Sequence, residues 1–87
     1  MHVAFVVHVV KGADIDTLLS EGTKRETQAV VMSLADATKM GFSGISAPPD
    51  RDVCVVIVAK RDAPWITRNL EGSEIVAGFQ MVDVQLS

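Results

Sequence analysis

Two stretches of this chain are apolar at almost every position, and they set the reading of the rest. From His2 to Val10 one alternating set is Val3, Phe5, Val7 and Val9, and the other is Ala4, Val6, His8 and Val10. Both sets are apolar or nearly so, the pattern of a strand covered on both faces. Val53 to Ala59 repeats it, with Val53, Val55, Ile57 and Ala59 against Cys54, Val56 and Val58. Between them, Ile15, Leu18, Leu19, Val30, Leu34, Ala37 and Met40 fall near a 3.6-residue period, which predicts helix. The polar stretch in its middle and the Thr23/Glu26 capping pattern divide that segment into a short helix at Ile15–Ser20, a break at Gly22 and a main helix from Lys24 to Met40. Gly41 then closes it in a left-handed cap.

Phe42 to Ala47 reads as a short edge strand, and Pro48–Asp52 as a turn that cannot join a ladder. Asp62 and Pro64 open a helix over Ala63–Leu70 that Gly72 stops, with Trp65, Ile66, Asn69 and Leu70 on its inner side. Ile75 to Leu86 is a last strand whose alternation changes phase once near Gly78, as a bulge would make it. The predicted order is β-α-β-β-α-β over one α+β domain, residues 1–87. That order defines the ferredoxin-like sandwich, and it implies a four-stranded antiparallel sheet in the order 4-1-3-2 with both helices on one face.

Two helices cover one face of such a sheet, and the other is normally polar where it meets water. Here both sets of the central strands are rich in valine, so a patch formed from Val6, Val10, Cys54, Val56 and Val58 is expected to be left over. Exposed apolar patches beyond a few hundred Å² mark interfaces, and the commonest solution is a two-fold homodimer. The expectation is therefore a dimer formed through the sheet, unless the last strand or the bent first helix wraps over the open face.

Composition narrows the chemistry. A net charge of −3 and a pI near 5.1 argue against sequence-independent grip on nucleic acid, which needs excess lysine and arginine on one face. Lys24, Arg25, Lys60, Arg61 and Arg68 are dispersed among acids and read as a solvated surface. The only cysteine, Cys54, excludes an internal disulfide and reads as a buried thiol. His2 and His8 share a strand face but lie about 20 Å apart at ~3.3 Å per residue, too far to hold one metal within the chain. Asp14 and Asp16 read as helix-start caps, and no glycine-rich phosphate loop is present. No cofactor, metal site or catalytic set is expected. The apolar N-terminal run reads as a strand rather than a signal peptide or membrane span, so the expected location is cytoplasmic.

Two residues remain as ligand-binding candidates: His8, a titratable group among valines, and Trp65, the only tryptophan. Three functional classes stay open. The leading one is a non-enzymatic oligomeric binding or regulatory protein that acts through protein contacts. The second is a ligand-binding protein or enzyme with a cavity near His8; the layout resembles dimeric α+β barrels in length and strand order, without a residue motif. The third is a ferredoxin-like nucleic-acid-binding protein or ribonuclease, which the acidic balance disfavours.

Overall fold

The two apolar runs are the inner strands of the sheet. In a computed structural model that describes residues 1–83, β1 (His2–Val10) pairs antiparallel with β3 (Arg51–Ala59) along its whole length, from His2 opposite Ala59 to Val10 opposite Arg51. On its other side β1 pairs with β4 (Val76–Asp83), and β3 pairs with the four-residue β2 (Val30–Ser33). The sheet order is β2-β3-β1-β4 and every pairing is antiparallel. Three α-helices accompany it among the described residues: α1 (Glu21–Thr27), α2 (Leu34–Lys39) and α3 (Ala63–Glu71).

The second strand is not where the sequence pattern placed it. Phe42–Ala47 is irregular, and the strand falls inside the segment read as the main helix. The physical reason is local. Ser20, not Thr23, caps α1, its hydroxyl accepting from the Thr23 N–H. The helix then ends in Gln28, whose φ of 53° lies in the left-handed region. The adjacent β-branched pair Val30 and Val31 favours extended backbone. Ser33 then caps α2 by accepting from Asp36 N–H. Gly41 keeps its expected role in a changed setting: at φ 106° it ends the short α2. The Phe42 N–H reaches back to Ala37 O and the Gly41 N–H to Thr38 O, a Schellman pair.

Because Gln28 is not glycine, its left-handed backbone carries strain that glycine would relieve. Gln28→Gly is expected to raise stability by about 0.5–1 kcal/mol, the ~1–2 kcal/mol of left-handed strain less the entropy cost of glycine, read as a higher urea midpoint. A loss would show that the Gln28 side chain contributes more than its backbone costs.

Register sorts the core into two clusters. Directly opposed residues share a face, so the Phe5–Val56 pair puts odd positions of β1 with even positions of β3. Val3, Phe5, Val7 and Val9, with Cys54, Val56 and Val58, pack beneath Leu18, Leu19 and the α3 residues Ala63, Ile66 and Leu70. On the other face Ala4 and Val55 pack with Met32, Ala37 of α2, Phe42 and Ile45. The expectation of helices on one face only is thus corrected. A third helix and the loop after it cover part of the second face, in place of the last strand or first helix.

Thr27 is buried on the α1 side, and its hydroxyl donates to Thr23 O while accepting from Ala29 N–H. Thr23 also donates to Asn69, which itself donates to Trp65 O and links α1 to α3. The phase change near Gly78 is present: His8 opposes Gly78 and Val9 opposes Val76, leaving Ala77 without a partner on β1. The expected continuation of this strand to Leu86 lies outside the described residues.

Candidate functional site

The second face of the sheet is covered unevenly, and a cavity results. Even-numbered residues of β1 point to that face, so Val6 and His8 form its floor together with Gln80 and Val82 of β4. The roof is the loop after α2. Its start is held by the Schellman turn and by Phe42, which packs with Ile45 on the second core cluster. At the far end the Arg51 N–H donates to Pro48 O, and the Lys11 ammonium donates to Pro49 O. Between these anchors the chain turns at Gly44, whose φ of 75° suits glycine.

The space beneath the loop is about 470 Å³ and partly open to solvent, within the ~300–1,000 Å³ usual for small-molecule sites. Gly44 contributes no side chain to the roof.

The lining divides by chemistry. Val6, Val82, Phe42, Ile45 and Pro48 supply apolar surface, while His8, Gln80, Ser43 and Ser46 supply hydrogen-bonding groups. Among the described residues, aspartate, glutamate, lysine and arginine are all missing from this lining. His8 is half-buried, and its Nδ1 is sealed from solvent with no hydrogen-bond partner among the described residues. An unpaired buried polar atom costs about 1–3 kcal/mol. Of the two neutral forms, the one with hydrogen on Nε2 leaves the sealed nitrogen as a bare lone pair and makes Nε2 a donor.

The residues singled out in the sequence are not gathered in one place. His8 and Val6 line the cavity, and Val10 lies on the same face, half-exposed at the strand end. Cys54, Val56 and Val58 are on the opposite face, each at most 1% exposed beneath the helices. The expected patch therefore splits between two faces, and only its β1 members stand on the second one. Burial pushes the Cys54 thiol up to about 11 from 9.0, the setting of an inert thiol. Trp65 is 48% exposed on α3, outside the inner side formed by Ala63, Ile66 and Leu70, and across the sheet from His8.

His2 lies at the other end of β1, in a groove with Glu26, Gln28 and Arg61. Asp14 accepts from Asp16 N–H and caps a 3-10 turn at Ile15–Thr17. Among the basic residues, Lys24 is engaged by Asp16 O and Glu21, and Arg61 by Asp62. Among the described residues no cluster of three or more His, Cys, Asp or Glu could hold a metal, and no helix is long and apolar enough to cross a membrane.

Gln80, Ser43 and Ser46 escaped the sequence reading because they follow no motif. The one signal pointing to Gln80 is its place as a polar residue between Phe79 and Met81 in a strand that is otherwise apolar around it. No family model matches this chain, and no curated protein matches its sequence significantly.

Proposed function

We propose that this chain is a small binding protein whose second sheet face takes a compact, uncharged ligand beneath the Phe42–Pro48 loop. The observation that carries the reading is the cavity itself: apolar walls, a few hydrogen-bonding groups on its floor and roof, and no charge in the lining among the described residues. Such a lining favours a ring or short chain bearing one or two hydroxyl or carbonyl oxygens, because a charged group would lose its water without gaining a counter-charge. His8 Nε2 and the Gln80 amide are the groups that would orient it. Nothing in the lining orients the imidazole as a general base would require, so binding is favoured over turnover.

The strand order supports describing the fold as a ferredoxin-like variant, since β2-β3-β1-β4 is 4-1-3-2 read from the other edge. The extra helix between β2 and β3 is its departure. The acidic balance, with Lys24 and Arg61 paired to acids, keeps a nucleic-acid role as the weakest of the three classes. The single buried thiol is compatible with a reducing, cytoplasmic setting. Action through protein contacts as a homo-oligomer is a second reading, favoured by the exposed edge of β4 considered below.

The test is amide and imidazole NMR with a panel of phenols, cyclic ketones and their carboxylate analogues. Uncharged members are expected to shift Val6, His8, Gln80 and Val82, and carboxylates to shift them less. Val6→Phe should fill the floor and abolish binding while the protein stays folded. His8→Phe should weaken hydroxyl-bearing members about fivefold, the loss of one ordinary hydrogen bond of ~1 kcal/mol. Unaltered binding by Val6→Phe, or no response from any probe, would remove the cavity reading.

A further inference from the structure

The two edges of the sheet differ in how they meet water. β2 is four residues long and runs straight into α2, whereas β4 is eight residues long. From Val76 to Val82 it holds no charged residue and no proline, and Asp83 is the only charge in the strand. Edge strands are ordinarily blunted by lysine, proline, brevity or a bulge. Here the single irregularity, at Ala77, leaves Gly78 to Asp83 as a straight edge.

Hydrogen-bond parity identifies the groups on that edge. The Lys60 N–H donates to Met1 O, and the Val10 N–H donates to Ile75 O. Odd residues of β1 therefore bond towards β3 and even ones towards β4. Gln80 and Val82, opposite Val6 and Ala4, turn their backbone groups inward. Phe79 and Met81 turn theirs outward, and Met81 is 51% exposed.

We infer that this edge is completed by the β4 of a second copy, antiparallel about a two-fold axis at Gln80. An antiparallel edge is complementary to itself under such an axis. Centring on Gln80 pairs Phe79 with Met81 of the partner subunit and Met81 with the partner's Phe79, which gives four N–H···O bonds. It also stacks two apolar pairs on the helix-covered face. Registers centred further along the strand bring the two Asp83 carboxylates together, whereas this one holds them apart. The register has a consequence for the cavity. The two Gln80 side chains meet at the axis on the second face, where Gln80 is part of the cavity floor, so each ligand site borders the partner's Gln80.

The experiment is absolute mass by light scattering across a dilution series. The unaltered chain is expected at twice its 9.3 kDa. Met81→Pro removes one outward N–H at a position where an edge strand tolerates proline, so it should scatter as a monomer with an unchanged circular dichroism spectrum. Gln80→Glu and Gln80→Lys should each dissociate at concentrations at least tenfold higher than the unaltered chain, and an equimolar mixture should regain the dimer. A monomer at every concentration overturns the proposal, as does a Met81→Pro dimer with an unaltered midpoint. Insensitivity to both Gln80 changes overturns the register. Met81 does not line the cavity, so ligand-induced NMR shifts in Met81→Pro test the binding reading separately.

Discussion

Phe5→Ala is expected to destabilise the fold by about 3–5 kcal/mol, the usual cost of emptying a phenylalanine site in a packed core. Phe5 is fully buried at the middle of β1, opposite Val56 on one side and Met81 on the other. Its ring lies 6.0 Å from that of Phe79 at an interplanar angle of 58°, an arrangement worth about 0.5–1.5 kcal/mol beyond its area. At roughly 0.05–0.15 kcal/mol per residue, a chain of this size holds about 4–13 kcal/mol in total. The substitution thus removes roughly a quarter of the stability or more. Urea denaturation at one fixed protein concentration is the measurement, because association would make the midpoint concentration-dependent. Circular dichroism should report it, since the only tryptophan is half-exposed and there is no tyrosine. A loss under about 1.5 kcal/mol would mean that β1 does not carry the core. Trp65→Ala on the outer side of α3 is the contrasting control, with an expected loss below about 1 kcal/mol.

The contrast between those two residues shows which parts of the fold were legible. Both central strands are evident from Val3–Val9 and Val53–Val58, because runs apolar on both faces and of strand length have few other uses. The helix Ala63–Leu70 is legible from Pro64 in its first turn, although Asp62 makes no side-chain capping hydrogen bond, and its rotation is not legible: Ile66 and Leu70 lie at i, i+4 and face inward, and Trp65 is displaced from them around the helix. The segment from Lys24 to Met40 misleads for a definite reason. Val30, Leu34, Ala37 and Met40 satisfy a helical period, but the same spacing arises when a four-residue strand is followed by a two-turn helix. Only the β-branched pair Val30–Val31 distinguishes the cases, and a left-handed Gln28 has no sequence signature.

Faces were harder to read than elements. Alternation says that Val6 and Val10 share one side of β1, and that Cys54, Val56 and Val58 share one side of β3. It is silent on which set of one strand joins which set of the other, because a one-residue change of register exchanges them. The cavity was legible only through His8. Its roof depends on how Gly41, Gly44 and the Pro48–Pro49 pair direct a loop over the sheet, which is long-range geometry.

Above pH 9 the fold is expected to lose stability through Cys54. Burial raises this thiol from 9.0 to about 11, so the folded state holds its proton where the unfolded chain releases it. Below pH 9 both states are protonated and the thiol adds no pH dependence. As pH rises from about 9 towards 11 the unfolded state ionises first, and each unit approaches a cost of about 1.4 kcal/mol. The accumulated loss is of order 2–3 kcal/mol near pH 11, where the folded thiol ionises in turn. The observable is the difference in unfolding free energy between the unaltered chain and Cys54→Ala, which isolates the thiol. Tyrosine, the other common alkaline titrant, is missing from the sequence. The difference should be constant up to about pH 8.5 and then shrink or change sign as pH climbs, because only the unaltered chain carries the thiol cost. A difference that stays level to pH 11 would mean that solvent reaches Cys54, and with it the face of β3 that the helices cover.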